Sequence, residues 1–324
     1  MVFARLRLAA RNLRGRLFVG LLLCRAFARL RLAAHPMVFA RLRLAARNLR
    51  GPTFRRPSCR WIRAPGVTVG HVSTRTRIAL GAGIVLLAWW LSGRVRHLAA
   101  YVDTNPARLG FEMMGIGFGL AAFAIGVAFA LPGPVARRLG LGPSRLPTAA
   151  VIALTLGTLG LSRAIEAALA LSATRVLENS VAVGISRGLE AARGRDLAIG
   201  FFGTVLAPAI GEELLCRGLL QRGLVRWIGP AAGIAIAALV FGWLHGELVH
   251  GAIAASLGTY LGLAAYWSDS TRPAIAAHAA NNLMALLASA GIAALWLPPL
   301  PSLVTGLALA AIGIAWAFRA KRHP

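Results

Sequence analysis

Apolar runs of about 20 residues recur along most of this chain, and they constrain its fold more than any other feature. A helix of about 20 apolar residues crosses the hydrocarbon core of a bilayer, where only helices and closed barrels satisfy their backbone hydrogen bonds. Only 14% of the residues are charged, against about 25% in soluble domains. We therefore expect an all-α membrane protein, a polytopic helical bundle of about eight transmembrane helices, at 78–93, 110–132, 148–172, 197–222, 231–249, 251–267, 273–292 and 302–318.

Basic residues in the connecting segments indicate the orientation of this bundle. An even number of spans puts both termini on one side, and basic residues near 75–77 and in the tail 319–322 predict that this side is cytoplasmic. The loop 94–108 carries three arginines on the other side and disagrees. Since the Ala-, Arg- and Gly-rich composition is typical of a high-GC bacterium, we expect a multi-pass protein of the cell (inner) membrane with both termini cytoplasmic.

The first 70 residues differ from the rest of the chain. MVFARLRLAARNLRG stands at 1–15 and again at 37–51, and residues 1–77 hold 18 of the 36 basic residues, with no acid before Asp103. The net charge of +26 does not indicate a nucleic-acid partner, because half of the basic residues lie in this stretch. We interpret residues 1–70 as a basic repetitive leader, disordered or a mis-assigned start, and dispensable. A surface-bound amphipathic helix and a transit peptide are the alternatives.

Ionisable side chains inside the predicted spans are few, and each is a candidate functional group because charge in hydrocarbon is costly. Glu212, Glu213 and Arg217 lie in the fourth span. Since Glu213 and Arg217 are four residues apart, they face each other on a helix, and we expect them to pair. That pairing leaves Glu212 without an internal partner. Arg163 and Glu166 in the third span are three residues apart, and a buried ion pair explains them.

Two histidines are predicted to meet these carboxylates. His245 ends the fifth span, and His278 lies in the seventh, with Asn282 four residues later on the same helix face. Glu213 and His245 each stand 16 residues from Gly229, or about 24 Å of helix, so the two are level. His278 lies about 9 Å from the same membrane face. The polar groups of three spans should therefore converge in one pocket below the cytoplasmic surface.

Together these residues form three motifs. E-E-x-x-x-R, F-x-x-x-H and H-x-x-x-N follow one another at Glu212–Arg217, Phe241–His245 and His278–Asn282. In this order they resemble the CAAX protease and bacteriocin-processing family (the CPBP or Abi group), which is similar to the type II CAAX prenyl endopeptidases. The resemblance covers roughly 197–292.

The resemblance implies an intramembrane endopeptidase that hydrolyses a peptide bond with an activated water. Glu212 and His245 would activate the water, His278 and Asn282 would stabilise the oxyanion, and three residues would support them: Glu213, Arg217 and Phe241. A carboxylate beside an imidazole suits general-base catalysis near neutral pH, and amide and imidazole N–H groups suit a developing oxyanion. The implied partners are a membrane-associated peptide or protein substrate and the lipid bilayer.

No cofactor is expected. Zinc held by Glu212, His245 and His278 is the alternative, since one carboxylate and two imidazoles form a known catalytic zinc set. Asn282 favours the metal-free hypothesis, because an amide is a poor zinc ligand and a good oxyanion donor.

The chain thus divides after the leader into accessory transmembrane helices at 78–196, a CAAX-protease-like catalytic core at 197–292, and a last transmembrane helix with a basic tail at 293–324. Two other functions stay open. One is a non-catalytic immunity or scaffold protein of the same fold. The other is a proton-coupled transporter, for which Arg163 and Glu166 are the best support.

Three further patterns are interpreted as structural. The segment 184–188 matches G-x-S-x-G, but a nucleophile elbow needs a strand-turn-helix, and we expect a charged loop here. The segment 245–250, HGELVH, is not a zinc-protease box, because on one helix its two histidines stand about 140° apart. Gly115 and Gly119 are predicted to form a helix–helix contact.

Overall fold

The computed structural model describes residues 105–131, 133–172, 180–190, 192–292 and 297–321. Within these ranges every regular element is a helix, which confirms the all-α membrane fold. The leader 1–70 and the predicted span 78–93 lie outside the described residues. The helices of the described part are α1 (Pro106–Ala130), α2 (Val135–Arg138), α3 (Thr148–Leu171), α4 (Val181–Leu189), α5 (Gly194–Ile228), α6 (Pro230–Leu244), α7 (Leu248–Ser268), α8 (Arg272–Ser289) and α9 (Pro299–Ala320).

Five of these helices, α1, α3, α5, α7 and α9, are long and apolar enough to cross a membrane. The chain is therefore a multi-pass membrane protein. α6 is apolar but has 15 residues, and α8 carries the polar residues His278, Asn281 and Asn282. Each predicted span beyond residue 105 corresponds to a helix, whereas the count of eight and the domain boundaries stay predictions.

α5 is the longest of these helices, and its winding changes along its length. The segments Phe201–Leu206 and Leu214–Gln221 are π-helical, and the α-helical stretch Ala207–Glu213 separates them. Pro208 lies in the first turn of that stretch, where its missing N–H removes one helical hydrogen bond. The helix continues through Pro208 with wide turns on either side. Glu212 therefore lies between two segments of a kind that often marks a functional site.

α1 packs along α5 through glycines. A Cβ added at Gly110 would lie 2.7 Å from a side-chain atom of α5, and one at Gly117 would lie 2.6 Å from an α5 backbone oxygen. Only residues without side chains allow so close an approach. The predicted contact at Gly115 and Gly119 is wrong for the described residues, since no described atom lies within 4 Å of either added Cβ. The packed face of α1 is the one that carries Gly110 and Gly117.

α3 and α9 form a second tight pair, which supports α7. A Cβ added at Gly160 of α3 would lie 2.7 Å from the Gly306 carbonyl oxygen of α9. The Tyr260 hydroxyl of α7 donates to the Ala310 carbonyl of α9 at 3.2 Å. Buried apolar side chains fill the space between the three helices. α7 is thereby held in place on the side of α3 and α9.

Polar contacts join the loops at one end of the bundle. Asp269, which follows α7, accepts from Arg145 at 2.9 Å and from Arg222 at 3.0 Å. The Thr271 hydroxyl donates to the Leu139 carbonyl at 2.7 Å. The ends of α5 and α7, the start of α8 and the loop after α2 therefore lie together.

The segment 184–188 is helical, so the prediction of a charged loop there is wrong. It belongs to α4, whose first turn is capped from two directions: Ser180 Oγ accepts from the Val183 N–H at 3.3 Å, and Glu247 Oε2 accepts from the Val181 N–H at 2.8 Å. These caps satisfy N–H groups that a helix start leaves without partners. Because the segment is helical, it does not form the strand-turn-helix of a nucleophile elbow.

Candidate active site

A buried ion pair lies at the centre of the polar cluster. Arg217 Nη1 donates to Glu213 Oε1 at 2.7 Å, and the two side chains are 1% and 0% exposed. The spacing of four predicts this pair, and the structure forms it. Arg217 Nη2 donates to the Gly258 carbonyl of α7 at 2.9 Å. A lone charge here would be costly, so each side chain needs the other. The hydrogen bond from Arg217 to Gly258 joins this face of α5 to α7.

Gln221 extends the same row of contacts along α5. Its amide nitrogen donates to the Gly262 carbonyl at 2.8 Å, so residues 213, 217 and 221 all follow a spacing of four. A Cβ added at Gly258 would lie 3.2 Å from Arg217, and one at Gly262 would lie 2.7 Å from Gln221. The sequence analysis did not single out Gln221 or these glycines. The repeated spacing of four was the available signal.

His278 joins α8 to this pair. Its Nδ1 lies 3.0 Å from Glu213 Oε1, and the residue is 8% exposed. The predicted depths bring His278 and Glu213 into one pocket, and the structure places them in direct contact. The sequence analysis assigned Glu213 to Arg217 alone, so it did not predict that one carboxylate links α5 to α8.

Phe241 of α6 contacts all three motifs. Arg217 Cζ lies 4.3 Å from its ring centroid, and the rings of His245 and His278 lie edge-to-face at 5.0 Å and 5.8 Å. A guanidinium over an aromatic face is favourable, and so are edge-to-face rings. The Phe241 side chain therefore packs at the point where α5, α6 and α8 meet.

His245 stands where α6 ends. The predicted span 231–249 is too long, because the helix stops at Leu244 and the chain turns through Gly246 with a φ of 73°, a conformation that glycine adopts readily. His245 Nδ1 lies 2.8 Å from the Phe241 carbonyl oxygen. Because a carbonyl only accepts, Nδ1 carries the hydrogen, and Nε2 of the neutral ring is left as an acceptor.

The same break changes the interpretation of the segment 245–250. The rings of His245 and His250 lie 4.7 Å apart at 75°. Their predicted separation of about 140° assumed one continuous helix and is wrong, because α7 begins only at Leu248. The sequence analysis therefore missed His250 as a neighbour of the site.

Glu212 and Asn282 complete the set of predicted residues. Glu212 Oε2 is buried, and no hydrogen bond from a described residue reaches either oxygen, in line with the expectation that Glu212 has no internal partner. Glu212 interacts electrostatically with His278, Glu213 and Arg217. Glu212 does not bond directly to His245 within the described residues.

Asn282 lies one turn beyond His278 on α8, and its side chain makes no hydrogen bond within the described part of the chain.

The metal-free reaction stays a prediction, with zinc on Glu212, His245 and His278 as its alternative. No three His, Cys, Asp or Glu side chains of the described residues come together in an arrangement that could hold a metal.

The arrangement offers three chemical groups in one cluster. They are a buried carboxylate without a partner, an imidazole whose Nε2 can accept, and an imidazole bonded to a charged carboxylate. A carboxylate and an imidazole can remove a proton from water. Donors fixed by their neighbours can stabilise a developing negative charge. The cluster therefore suits hydrolysis by a water molecule.

Comparison with known proteins gives one family match, to the segment that carries this cluster. Curated proteins and solved structures give no significant match to the chain. The family model described as "Rce1-like: Type II CAAX prenyl endopeptidase Rce1-like" matches residues 194–284, a range that contains all three motifs. The resemblance stated from those motifs is thereby confirmed: residues 194–284 carry the sequence pattern of the type II CAAX prenyl endopeptidase family.

Proposed function

We propose that this protein is an intramembrane endopeptidase that cleaves a peptide bond of a membrane-associated substrate. The family match supports a CAAX-type intramembrane protease function. The observation that carries the mechanism is Glu212, a carboxylate without a hydrogen-bond partner beside a paired one. A buried polar atom without a partner costs stability. A general base needs an oxygen that is free to take a proton, so a catalytic role accounts for the unpaired carboxylate of Glu212.

In the proposed reaction, Glu212 takes a proton from a water whose oxygen attacks the peptide carbonyl carbon. The second O–H of that water donates a hydrogen bond to His245 Nε2, since the Nδ1 hydrogen of His245 is bonded to the Phe241 carbonyl. The tetrahedral intermediate then breaks its C–N bond, and the proton on Glu212 passes to the departing amine. The products are a new carboxyl terminus and a new amino terminus.

His278 and Asn282 are the proposed donors to the oxyanion. His278 Nδ1 is bonded to Glu213, so Nε2 is the nitrogen left for the substrate, and it donates when the ring is doubly protonated. Asn282, one helical turn along α8, offers its amide N–H. Glu213, held by Arg217, fixes the orientation of the His278 ring.

We propose further that the reaction needs no metal. Glu212, His245 and His278 would have to lie within about 2.0–2.2 Å of one zinc ion, and no three His, Cys, Asp or Glu side chains of the described residues are arranged to hold a metal. The purified protein should hold well under one equivalent of zinc by elemental analysis and keep its activity after dialysis against a chelator. Stoichiometric zinc, with activity lost on chelation and restored by zinc, would reverse this proposal.

The substrate class follows from the orientation of the bundle in the membrane. Arg145 and Arg222 lie together at one end of the bundle, and basic residues favour the cytoplasmic side. We propose that this end faces the cytoplasm, that both termini do so too, and that the membrane is the cell (inner) membrane. The substrate is then a peptide or protein held at the cytoplasmic surface.

The test uses purified protein in lipid nanodiscs and a library of quenched fluorescent peptides, each offered with and without a prenyl group. Wild type should cleave at least one peptide, and Glu212→Gln should cleave none. Peptide binding without cleavage by wild type would favour the non-catalytic scaffold of the same fold. Proton flux into proteoliposomes that is lost in Glu212→Gln would favour the transporter.

A further inference from the structure

His250 has no part in the proposed reaction, yet its ring lies against that of His245. The two centroids are 4.7 Å apart and the ring planes meet at 75°, an edge-to-face contact of the favourable kind. His250 lies in the first turn of α7, directly after the break that carries His245. The role of His250 beside a proposed catalytic histidine is therefore worth testing.

Hydrogen bonds hold the start of α7, which carries the ring that contacts His245. The Gly251 N–H donates to the Glu247 carbonyl at 2.8 Å, which closes the first turn. The Glu247 carboxylate accepts from the Val181 N–H of α4, also at 2.8 Å. The start of α7 is thereby tied to α4 through Glu247, and His250 lies within this first turn.

Hydrogen bonding among the described residues does not explain a histidine at this position. His250 Nδ1 is buried and has no hydrogen-bond partner among the described residues. Such an atom loses its hydrogen bonds to water without replacing them, which disfavours the folded state. A leucine or phenylalanine would fill a similar volume without that penalty. A polar residue kept at a cost is a feature of functional sites.

We propose that His250 is a positioning residue that holds the imidazole of His245; this inference rests on the proposed function for its effect on activity. Among the described residues, His245 has one hydrogen bond, to the Phe241 carbonyl, and two ring contacts, to Phe241 and to His250. The hydrogen bond selects the tautomer with hydrogen on Nδ1. The ring contacts limit rotation of the imidazole. With His250 removed, one of the two contacts is lost, and the ring is free to leave the Phe241 carbonyl.

Two variants separate the ring from its nitrogens. His250→Leu removes the ring at similar volume, and His250→Phe keeps a ring that can pack edge-to-face but has no nitrogen. ¹⁵N NMR of protein labelled at histidine reports the tautomer of His245 without any need for a substrate. Wild type and His250→Phe should show His245 with hydrogen on Nδ1 alone, whereas His250→Leu should show a mixture of tautomers. Unchanged His245 signals in His250→Leu would overturn the inference.

Kinetics and thermal melting complete the test. On any peptide that wild type cleaves, His250→Leu should lower kcat about tenfold or more, which is within the range of a general acid–base contribution, and leave KM within about twofold. His250→Phe should stay within about threefold of wild type, and neither variant should melt below wild type. Equal losses of kcat in the two variants would overturn the positioning role. If wild type cleaves nothing, the proposed function fails, and the NMR result alone still decides whether His250 holds His245.

Discussion

Glu212 and Glu213 are neighbours on α5, and the structure surrounds them differently. Glu213 is fully buried and its Oε1 accepts from both Arg217 and His278, whereas Glu212 accepts no hydrogen bond from a described residue. Successive residues of a helix point about 100° apart, so the two carboxylates face different partners. Glu213 therefore joins α5 to α8, while the carboxylate of Glu212 has no hydrogen bond to a described residue.

Glu212→Gln is expected to have the largest effect on activity. The amide keeps the shape of the side chain but is not a base, so we expect kcat to fall by about 10²- to 10⁴-fold. Expression yield and melting temperature should stay close to those of wild type, because no hydrogen bond is lost. Residual cleavage within tenfold of wild type would remove Glu212 from the proposed reaction.

Glu213→Gln should act mainly on stability. It leaves Arg217 as a buried cation without a counter-charge, and losing one partner of a buried pair typically costs about 3–5 kcal/mol. We therefore expect low yield and a lower melting temperature, measured on the purified protein in detergent. Activity per folded molecule should fall too, since His278 loses its charged partner.

The matched control for Glu213→Gln is the double variant Glu213→Gln with Arg217→Met. Removing both charges of a buried pair is often close to neutral, so the double variant should recover much of the lost stability. Equal melting temperatures for Glu212→Gln and Glu213→Gln would show that the two carboxylates do not differ in the way the contacts indicate.

A smaller effect is expected at the glycines that face the Glu213–Arg217 pair. In Gly258→Ala the added Cβ would lie 3.0 Å from the Phe241 ring and 3.2 Å from Arg217. Overpacking of this kind costs about 1–3 kcal/mol. Gly115→Ala is the control, because no described atom lies within 4 Å of its added Cβ, and it should change stability by no more than about 0.5 kcal/mol. A larger loss in Gly115→Ala than in Gly258→Ala would contradict the packing described for α1 and α7.

Much of the cluster could be predicted from the sequence because helix geometry relates spacing to direction and depth. The spacing of four between Glu213 and Arg217 predicts their pairing, and the equal distances of Glu213 and His245 from Gly229 place them level. His278 and Phe241 meet these residues in the structure. The roles of Glu212, His245, His278 and Asn282 in catalysis stay predictions.

The rest depends on packing that a single sequence does not contain. Which glycines of α1 face α5 is decided by the partner helix, so the spacing of four predicts a contact at Gly115 and Gly119, whereas Gly110 and Gly117 make it. The end of α6 at Leu244 is marked by no proline, and Gly246, whose φ is 73°, does not stand out in a chain that carries many glycines inside its helices. Without that break, the contact between the two histidines of segment 245–250 could not be expected.

The wide turns of α5 have a consequence for changes in chain length. Deleting one residue from Leu214–Gln221 would allow the segment to rewind as a regular α-helix, so the helix itself would survive. Because a π turn closes with one residue more than an α turn, the later residues of α5 would keep nearly the same face. A deletion between Glu213 and Arg217 would, however, change the spacing of four at which these two side chains pair. Single-residue deletions in this segment should therefore be tolerated far less well than deletions in the exposed end of α9, even though both helices are apolar.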